Sequence, residues 1–210
     1  MAVKKKSARP RPKVKAKPKA TPKAKPTAKP KVKTATKRKP AAISEAAMMA
    51  QWQAAMTPGA NHARLTPMVG TWRAKTTITM APGAPPEVHD GTSVHRLVLG
   101  GRYLEQLYKG ATMGMPFEGI GYTGYENVRQ CYVGTWMDSL GTGVMHSVGV
   151  GRPTDERIDA VAQSIDPSGK KTVFDTIIRI KNHEHHSFEM WTKGPDGKKY
   201  RMMLIEYERG

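Results

Sequence analysis

Cysteine is nearly absent from this 210-residue sequence, and long apolar runs are absent altogether. The single cysteine, Cys131, excludes an intramolecular disulfide and is typical of a protein in a reducing compartment. No stretch approaches the ~20 apolar residues of a membrane-spanning helix. No apolar segment of signal-peptide length follows the basic N-terminus. We therefore predict a cytoplasmic protein without a membrane span.

Acidic residues are missing from the first 40 positions. This segment contains 17 of the 35 lysine and arginine residues and no aspartate or glutamate. The remaining 18 basic residues almost balance the 17 acidic ones, so nearly all of the formal net charge of +18 belongs to this segment. Such a division indicates a cationic arm joined to a nearly neutral domain.

Aromatic residues are missing from the same segment, and we name residues 1–42 the basic tail. Its composition cannot bury enough apolar surface to offset the entropy of ordering it, so the sequence predicts disorder. Seven prolines favour extended polyproline II conformations. At ~3.1 Å per residue the basic tail would reach roughly 120 Å.

The basic tail is predicted to bind nucleic acid or another polyanion, because each lysine that neutralises a phosphate releases condensed counterions. Binding should be non-specific, since no aromatic side chain is there to stack on bases. A purely solubilising arm is the alternative. The residues predicted to bind are Lys4, Lys5, Lys6, Lys13, Lys15, Lys17, Lys19, Lys23, Lys25, Lys29, Lys31, Lys33, Lys37, Arg38 and Lys39.

The folded part begins with one predicted helix. In "AISEAAMMAQWQAAMTPG", Ser44 is a suitable N-cap, and Met48, Trp52 and Met56 recur every four residues. A helical turn is predicted around residues 60–65, so residues 43–66 form a helical segment. We expect the helix to cover one end of the domain that follows.

From position 67 the pattern changes to the period-two alternation of β-strands. Turn sequences such as "LGGR", "DPSGKK" and "GPDGKK" separate about ten runs. These lie near 70–80, 91–99, 102–109, 117–125, 129–137, 142–151, 157–165, 171–181, 184–193 and 198–208. The fold class is therefore all-β. Residues 67–210 form an antiparallel up-and-down barrel or a sandwich, and the barrel is favoured because closure removes exposed strand edges.

Two glycine-containing motifs imitate nucleotide-binding loops. "GIGYTG" at 119–124 matches G-x-G-x-x-G, but a dinucleotide site needs a helix next, whereas "YENVRQCYVGTW" is strand-like. "DPSGKKT" lacks the first glycine of a phosphate-binding loop. We interpret the first motif as a barrel strand whose glycines let a neighbour approach closely, and the second as a hairpin turn.

"NHEHHSFEMW" concentrates three histidines at the start of the ninth strand. His183, His185 and Glu189 would share one face, and His186 the other. Zinc could use such a cluster, but no further ligand group is marked elsewhere, so a solvated strand end is favoured and no metal is predicted. Cys131 is interpreted as a buried structural thiol, since no activating base is evident.

Four segments of the folded part resemble the bacterial domain-of-unknown-function 1579 family. They are "NHARLTPMVGTW", "LGGRYLEQLYKG", "MPFEGIGYTGYEN" and "YVGTWMDS". The resemblance spans roughly residues 45–210 and implies a calycin-like barrel without an established reaction. The basic tail, with its KPKA, TPKA and AKP units, resembles in composition the C-terminal tails of linker histones and the tails of some bacterial nucleoid proteins.

The Gly-x-Trp sequence at 70–72 is similar to the start of lipocalin barrels. This likeness implies that Trp72 closes one barrel end beneath a late-strand arginine, for which Arg201 is the candidate. Haem-binding relatives with similar barrels use a late-strand histidine, which would be His183, His185 or His186. No motif supports haem, and no cofactor is predicted.

Three functions remain open from the sequence. The favoured hypothesis is a binding barrel that holds a small apolar ligand, with Tyr103, Tyr125, Trp136 and His146 at its lumen or mouth, tethered to nucleic acid by the basic tail. The alternative is a nucleoid-associated or ribonucleoprotein accessory protein in which the barrel is a structural or homodimerisation module. The third is an enzyme, which is less favoured because no motif names a reaction.

Overall fold

A computed structural model describes residues 43–210 of the chain. The predicted disorder of the basic tail and its predicted polyanion-binding residues lie outside the described residues. The described residues comprise a helix, a helical turn with a 3-10 turn, and ten strands. None of their helices is long and apolar enough to cross a membrane.

Helix α1 spans Glu45–Met56, and Ser44 caps it as predicted. The Ser44 Oγ accepts a hydrogen bond from the Ala47 N–H at 3.2 Å, and the helix ends where the Thr57 N–H donates to the Gln53 carbonyl. None of the twelve residues of α1 is buried. The prediction that this helix covers one barrel end is therefore wrong.

The barrel end is filled instead by residues 60–68, which we name the plug. It consists of helix α2, Ala60–Ala63, and a 3-10 turn, Thr66–Met68. Leu65 and Met68 are buried and pack against apolar side chains that project from the barrel wall. Those side chains are Leu104, Tyr132, Ile158 and Ile180. The apolar residues of the plug cover this end of the barrel, and α1 does not pack there.

All ten predicted strands are present, and each lies within a few residues of its predicted position. They are β1 Gly70–Ile78, β2 Glu87–Val98, β3 Tyr103–Thr112, β4 Met115–Glu126, β5 Cys131–Asp138, β6 Met145–Val150, β7 Arg157–Ile165, β8 Lys171–Ile180, β9 His185–Lys193 and β10 Lys199–Arg209.

The sheet closes on itself as an antiparallel up-and-down barrel, which confirms the predicted fold class. Each strand pairs with its neighbours in sequence, and β1 pairs with β10 to complete the ring. Because every strand has two partners, no edge is left exposed among the described strands. The register of the closing pair sets Trp72 opposite Arg209.

Side chains fill the barrel interior. Trp72, Ala74 and Thr76 alternate inward along β1 and are all buried. Around Trp72 and Ala74 pack Tyr108 of β3 and Tyr207 of β10, while the plug and its partners fill the space nearer the barrel end. Alternation with period two thus places two apolar clusters on the inner face of the barrel, one around Trp72 and one beneath the plug.

Candidate functional site

Trp72 closes the barrel beneath the plug. Its side chain is fully buried, and its Nε1–H donates to the Met68 carbonyl at 2.8 Å. The Arg209 guanidinium lies above the ring, with 4.3 Å from its Cζ to the ring centroid. Arg209 also donates to the carbonyls of Val69 at 3.2 Å and His183 at 2.6 Å. The tryptophan is therefore held from the plug and from β10 together.

Arg201 is not the arginine over Trp72, so that prediction is wrong. Because β1 and β10 are antiparallel, the start of β1 lies beside the end of β10, where Arg209 stands. Arg201 lies eight positions earlier, beside Trp191 of β9. The likeness to lipocalins indicated a late-strand arginine correctly but assigned it to the wrong end of the strand.

Two histidines lie beside Trp72 inside the barrel. The His186 ring stacks on Tyr207, with centroids 4.3 Å apart and planes 8° from parallel, and meets Trp72 edge-on at 4.3 Å. The His95 ring lies 5.1 Å from that of His186. These rings come from four strands, and both histidines are almost fully buried.

Hydrogen bonds fix part of this cluster. The Ser93 hydroxyl and the His95 Nε2 are 2.9 Å apart, and the Gln106 amide donates to Ser93 at 3.3 Å and to the Tyr207 hydroxyl at 2.8 Å. Burial raises the pKa of Tyr207. Ser93, Gln106 and Tyr207 therefore form a connected neutral network across β2, β3 and β10.

The remaining histidine nitrogens have no hydrogen-bond partner within residues 43–210. These are the Nδ1 of His95 and both ring nitrogens of His186. Burial lowers the pKa of His95 to about 4. Burial, together with the nearby His95 and Arg209, lowers the pKa of His186 to about 2. Both imidazoles are therefore neutral at physiological pH.

A small interior cavity adjoins the histidine pair. It measures about 30 Å³ and is bordered by Met68, Leu104 and Phe188 as well as by His95 and His186. That volume admits a water molecule. Sites for drug-sized ligands or organic cofactors measure ~300–1,000 Å³. An apolar ligand or a haem does not fit this cavity, which gives the predicted lumen ligand no support.

The four predicted ligand residues fall on two faces of the sheet. Tyr125 packs edge-on against Tyr132 in the core, and Trp136 packs in the Trp72 cluster, so both point inward. Tyr103 precedes the buried Leu104 and therefore points outward, where its ring covers Gly124. His146 is likewise exposed on the outer face. The structure thus does not bring the four together.

The "GIGYTG" motif is part of β4, which confirms the strand interpretation. The Trp136 ring lies across Gly119 and Gly121, and a Cβ at Gly121 would come within 2.8 Å of it. The Trp136 Nε1–H donates to Asp138 at 2.9 Å. Glycine is needed here because an indole from β5 occupies the space of the missing side chains.

The histidine-rich sequence is divided as predicted. His185 is exposed and His186 points inward, while His183 precedes β9 on the surface. Glu189 is on the outer face but buried, because Arg179 and Trp191 donate to its carboxylate at 2.8 and 2.9 Å. Within residues 43–210, no three metal-ligating side chains of His, Cys, Asp or Glu come together.

A groove of about 490 Å³ lies on the outer face of β5–β9, and we name it the outer groove. Its apolar lining consists of Val148, Val150, Val161, Ile177 and Trp191, beside Cys131. Cys131 is buried, as predicted, and free. Two ion pairs flank the apolar lining, Arg157–Asp159 and Lys199–Asp175.

These features define a class: a closed ten-stranded antiparallel barrel with a filled interior and an apolar outer groove. A family model described as "Protein of unknown function (DUF1579)" matches residues 57–209, and the chain belongs to this family. A comparison with curated protein sequences gives no match.

One solved structure supports the barrel fold, and a second is similar only at a lower level. The crystal structure of Rv2717c from M. tuberculosis aligns with a TM-score of 0.52 at 19% identity, covering 73% of this chain and 98% of that chain. A redesigned β-barrel, b11L5F_LGL, aligns with a TM-score of 0.37 at 14% identity, covering 71% of this chain and 95% of that chain. At such identities the likeness concerns the fold alone.

Sequence reasoning missed the interior histidine pair. In "SVHRLV" the alternation places Ser93, His95 and Leu97 on one face, and His186 opposes the other histidines of its strand. Those two signals indicate inward histidines. No pattern within one strand indicates that β2 and β9 bring them together across the barrel.

Loss of Arg209 should weaken the barrel closure, whereas loss of Arg201 should not. We expect Arg209→Ala to lower the free energy of unfolding by about 1–3 kcal/mol, because it removes a cation–π contact and two hydrogen bonds. Urea denaturation of residues 43–210 measures the change. The matched variant Arg201→Ala should cost less than about 0.5 kcal/mol. Equal losses for the two variants would contradict the assignment.

Acid should destabilise the fold through the histidine pair. Because the folded pKa values lie below the unfolded value of 6.5, the histidines contribute full stability above pH 6.5. That contribution is lost as pH falls through a window from 6.5 to about 4 for His95 and from 6.5 to about 2 for His186. Each costs about 1.4 kcal/mol per pH unit in that window. His186→Phe should reduce the slope of unfolding free energy against pH by that amount, whereas the exposed control His146→Phe should leave it unchanged. An unaltered slope in His186→Phe would show that the histidine is not neutral and buried.

Proposed function

We propose that this protein binds nucleic acid or another polyanion through the basic tail, and that the barrel is an association module that brings two tails together. The observation that carries the proposal is the division of charge, with 17 cations and no acid in the first 40 residues and near neutrality in the rest. Such a tail gains affinity from counterion release without reading bases. The proposal places the protein in the cytoplasm.

Exposed apolar surface on the folded domain supports association. The lumen is filled by side chains, and the cavity beside the histidines measures about 30 Å³. The outer face carries an apolar groove, and large apolar residues of α1 are exposed. Uncovered apolar surface of this kind marks interaction sites. The apolar lumen ligand that the sequence favours stays a prediction, and it would require the core to repack.

Two tails on one particle bind a polyanion better than one. Once the first tail is bound, the second binds at a high effective concentration, so the combined affinity exceeds that of either tail. Association of the folded domains would therefore strengthen binding without adding a contact to the polyanion. A nearly neutral domain suits this role, because it adds little repulsion between the partners.

Removal of the basic tail should abolish polyanion binding and leave the barrel intact. We expect the full chain to bind duplex DNA of any sequence, with log affinity falling linearly in log salt at about −0.9 per phosphate contacted. Residues 43–210 alone should show no measurable binding but an unchanged thermal midpoint. Fluorescence anisotropy and thermal unfolding measure the two. Equal affinity with and without residues 1–42 would overturn the proposal.

A further inference from the structure

Helix α1 carries an apolar face that nothing in the described chain covers. Met48, Met49, Trp52 and Met56 fall within an arc of about 100° at 3.6 residues per turn. All four are largely exposed, and Trp52 is 60% exposed. A twelve-residue helix is marginally stable in water without a packing partner. Packing this face against another apolar surface would therefore stabilise the helix.

The C-terminal end of α1 is fixed against its own barrel. The Asn127 amide donates to the carbonyls of Ala54 at 3.0 Å and Thr57 at 2.8 Å, and Arg102 donates to that of Met56 at 2.6 Å. These bonds satisfy carbonyls at the helix end and set the direction in which the helix leaves the domain. The apolar face is held in the open rather than against its own outer groove.

The outer groove has the complementary character. Its apolar lining includes Val148 and Val150, which are exposed, and Val150 is 67% exposed. The flanking charges of Asp159 and Asp175 are already paired with Arg157 and Lys199. An apolar centre with a satisfied polar border is the composition of a protein–protein interface.

We propose that the outer groove of one chain receives helix α1 of a second copy. The basic tail suits the outer groove poorly, because residues 1–40 contain no aromatic or methionine side chain after Met1 and repel one another. Helix α1 has four large exposed apolar side chains on one face, which a groove of this kind can accommodate. Because residues 43–210 of each copy present both α1 and the outer groove, a two-fold axis would pair each helix with the groove of the other copy.

The dimensions agree with a stable dimer. Standard interfaces bury ~1,200–2,000 Å² in total, which is about 600–1,000 Å² for each of two helix–groove contacts. Helix α1 is about 18 Å long, and its tryptophan and three methionines are 48–62% exposed, so burying them would contribute to an interface of this size. Methionine also adapts its shape to an irregular groove. This helix–groove contact rests on the proposed function, because it is the surface through which two association modules would pair.

The test measures dimerisation of the full chain by sedimentation equilibrium. The measurement is made in about 0.5 M salt, because salt screens the repulsion between tails. The helix variant is Trp52→Lys and the groove variant is Val150→Lys. Each should raise the dimer dissociation constant about 30-fold or more, the effect of removing a central interface residue. All the substituted positions are exposed, and circular dichroism checks that each variant folds.

Matched controls carry the same new lysine elsewhere. Ala50→Lys lies on the opposite side of α1, and Val173→Lys lies on the outer face but outside the groove lining. Both should dimerise within about twofold of the wild type. A wild-type dimer that Trp52→Lys and Val150→Lys leave intact would overturn the helix–groove contact but keep the association module. A monomeric wild type would overturn both, while DNA binding by the basic tail would stand.

Discussion

The closure of the barrel depends on the environment of one tryptophan. Trp72 stands where the first and last strands meet, and three elements hold it there: the Met68 carbonyl from the plug, the His186 ring from β9 and the Arg209 guanidinium from β10. Trp72 thus contacts the plug, the closing strand pair β1–β10 and an interior histidine. A change in any of these elements would alter the environment of the Trp72 indole.

Large side chains occupy much of the barrel interior. Because Trp72, Tyr108 and Tyr207 occupy the lumen, the cavity that remains beside the histidines has the size of a water molecule. The neutral His95 and His186 border this small cavity. Among residues 43–210, the exposed apolar surface includes the outer groove and the apolar face of α1.

The sequence allowed the fold to be predicted but only part of the site. Helix α1 and all ten strands follow from the Ser44 cap and the turn sequences, because those signals are local. The likeness to lipocalins does not identify Arg209 as the late-strand arginine, because a family resemblance does not give the register between the first and last strands. The outward position of Tyr103, predicted at the lumen or mouth, does not follow from the sequence, because Tyr103 and Leu104 are both apolar and alternation cannot decide which one faces the core.

The chain combines a cationic segment with an exposed apolar surface. Charge supplies affinity for a polyanion, whereas the groove and helix determine how many charged segments act together. The most direct measurement is the salt dependence of DNA binding for the full chain and for a variant that does not dimerise. The account predicts a slope of log affinity against log salt about twice as steep for the dimer, because two tails release counterions in one binding event. Identical slopes for the dimer and the monomeric variant would contradict it.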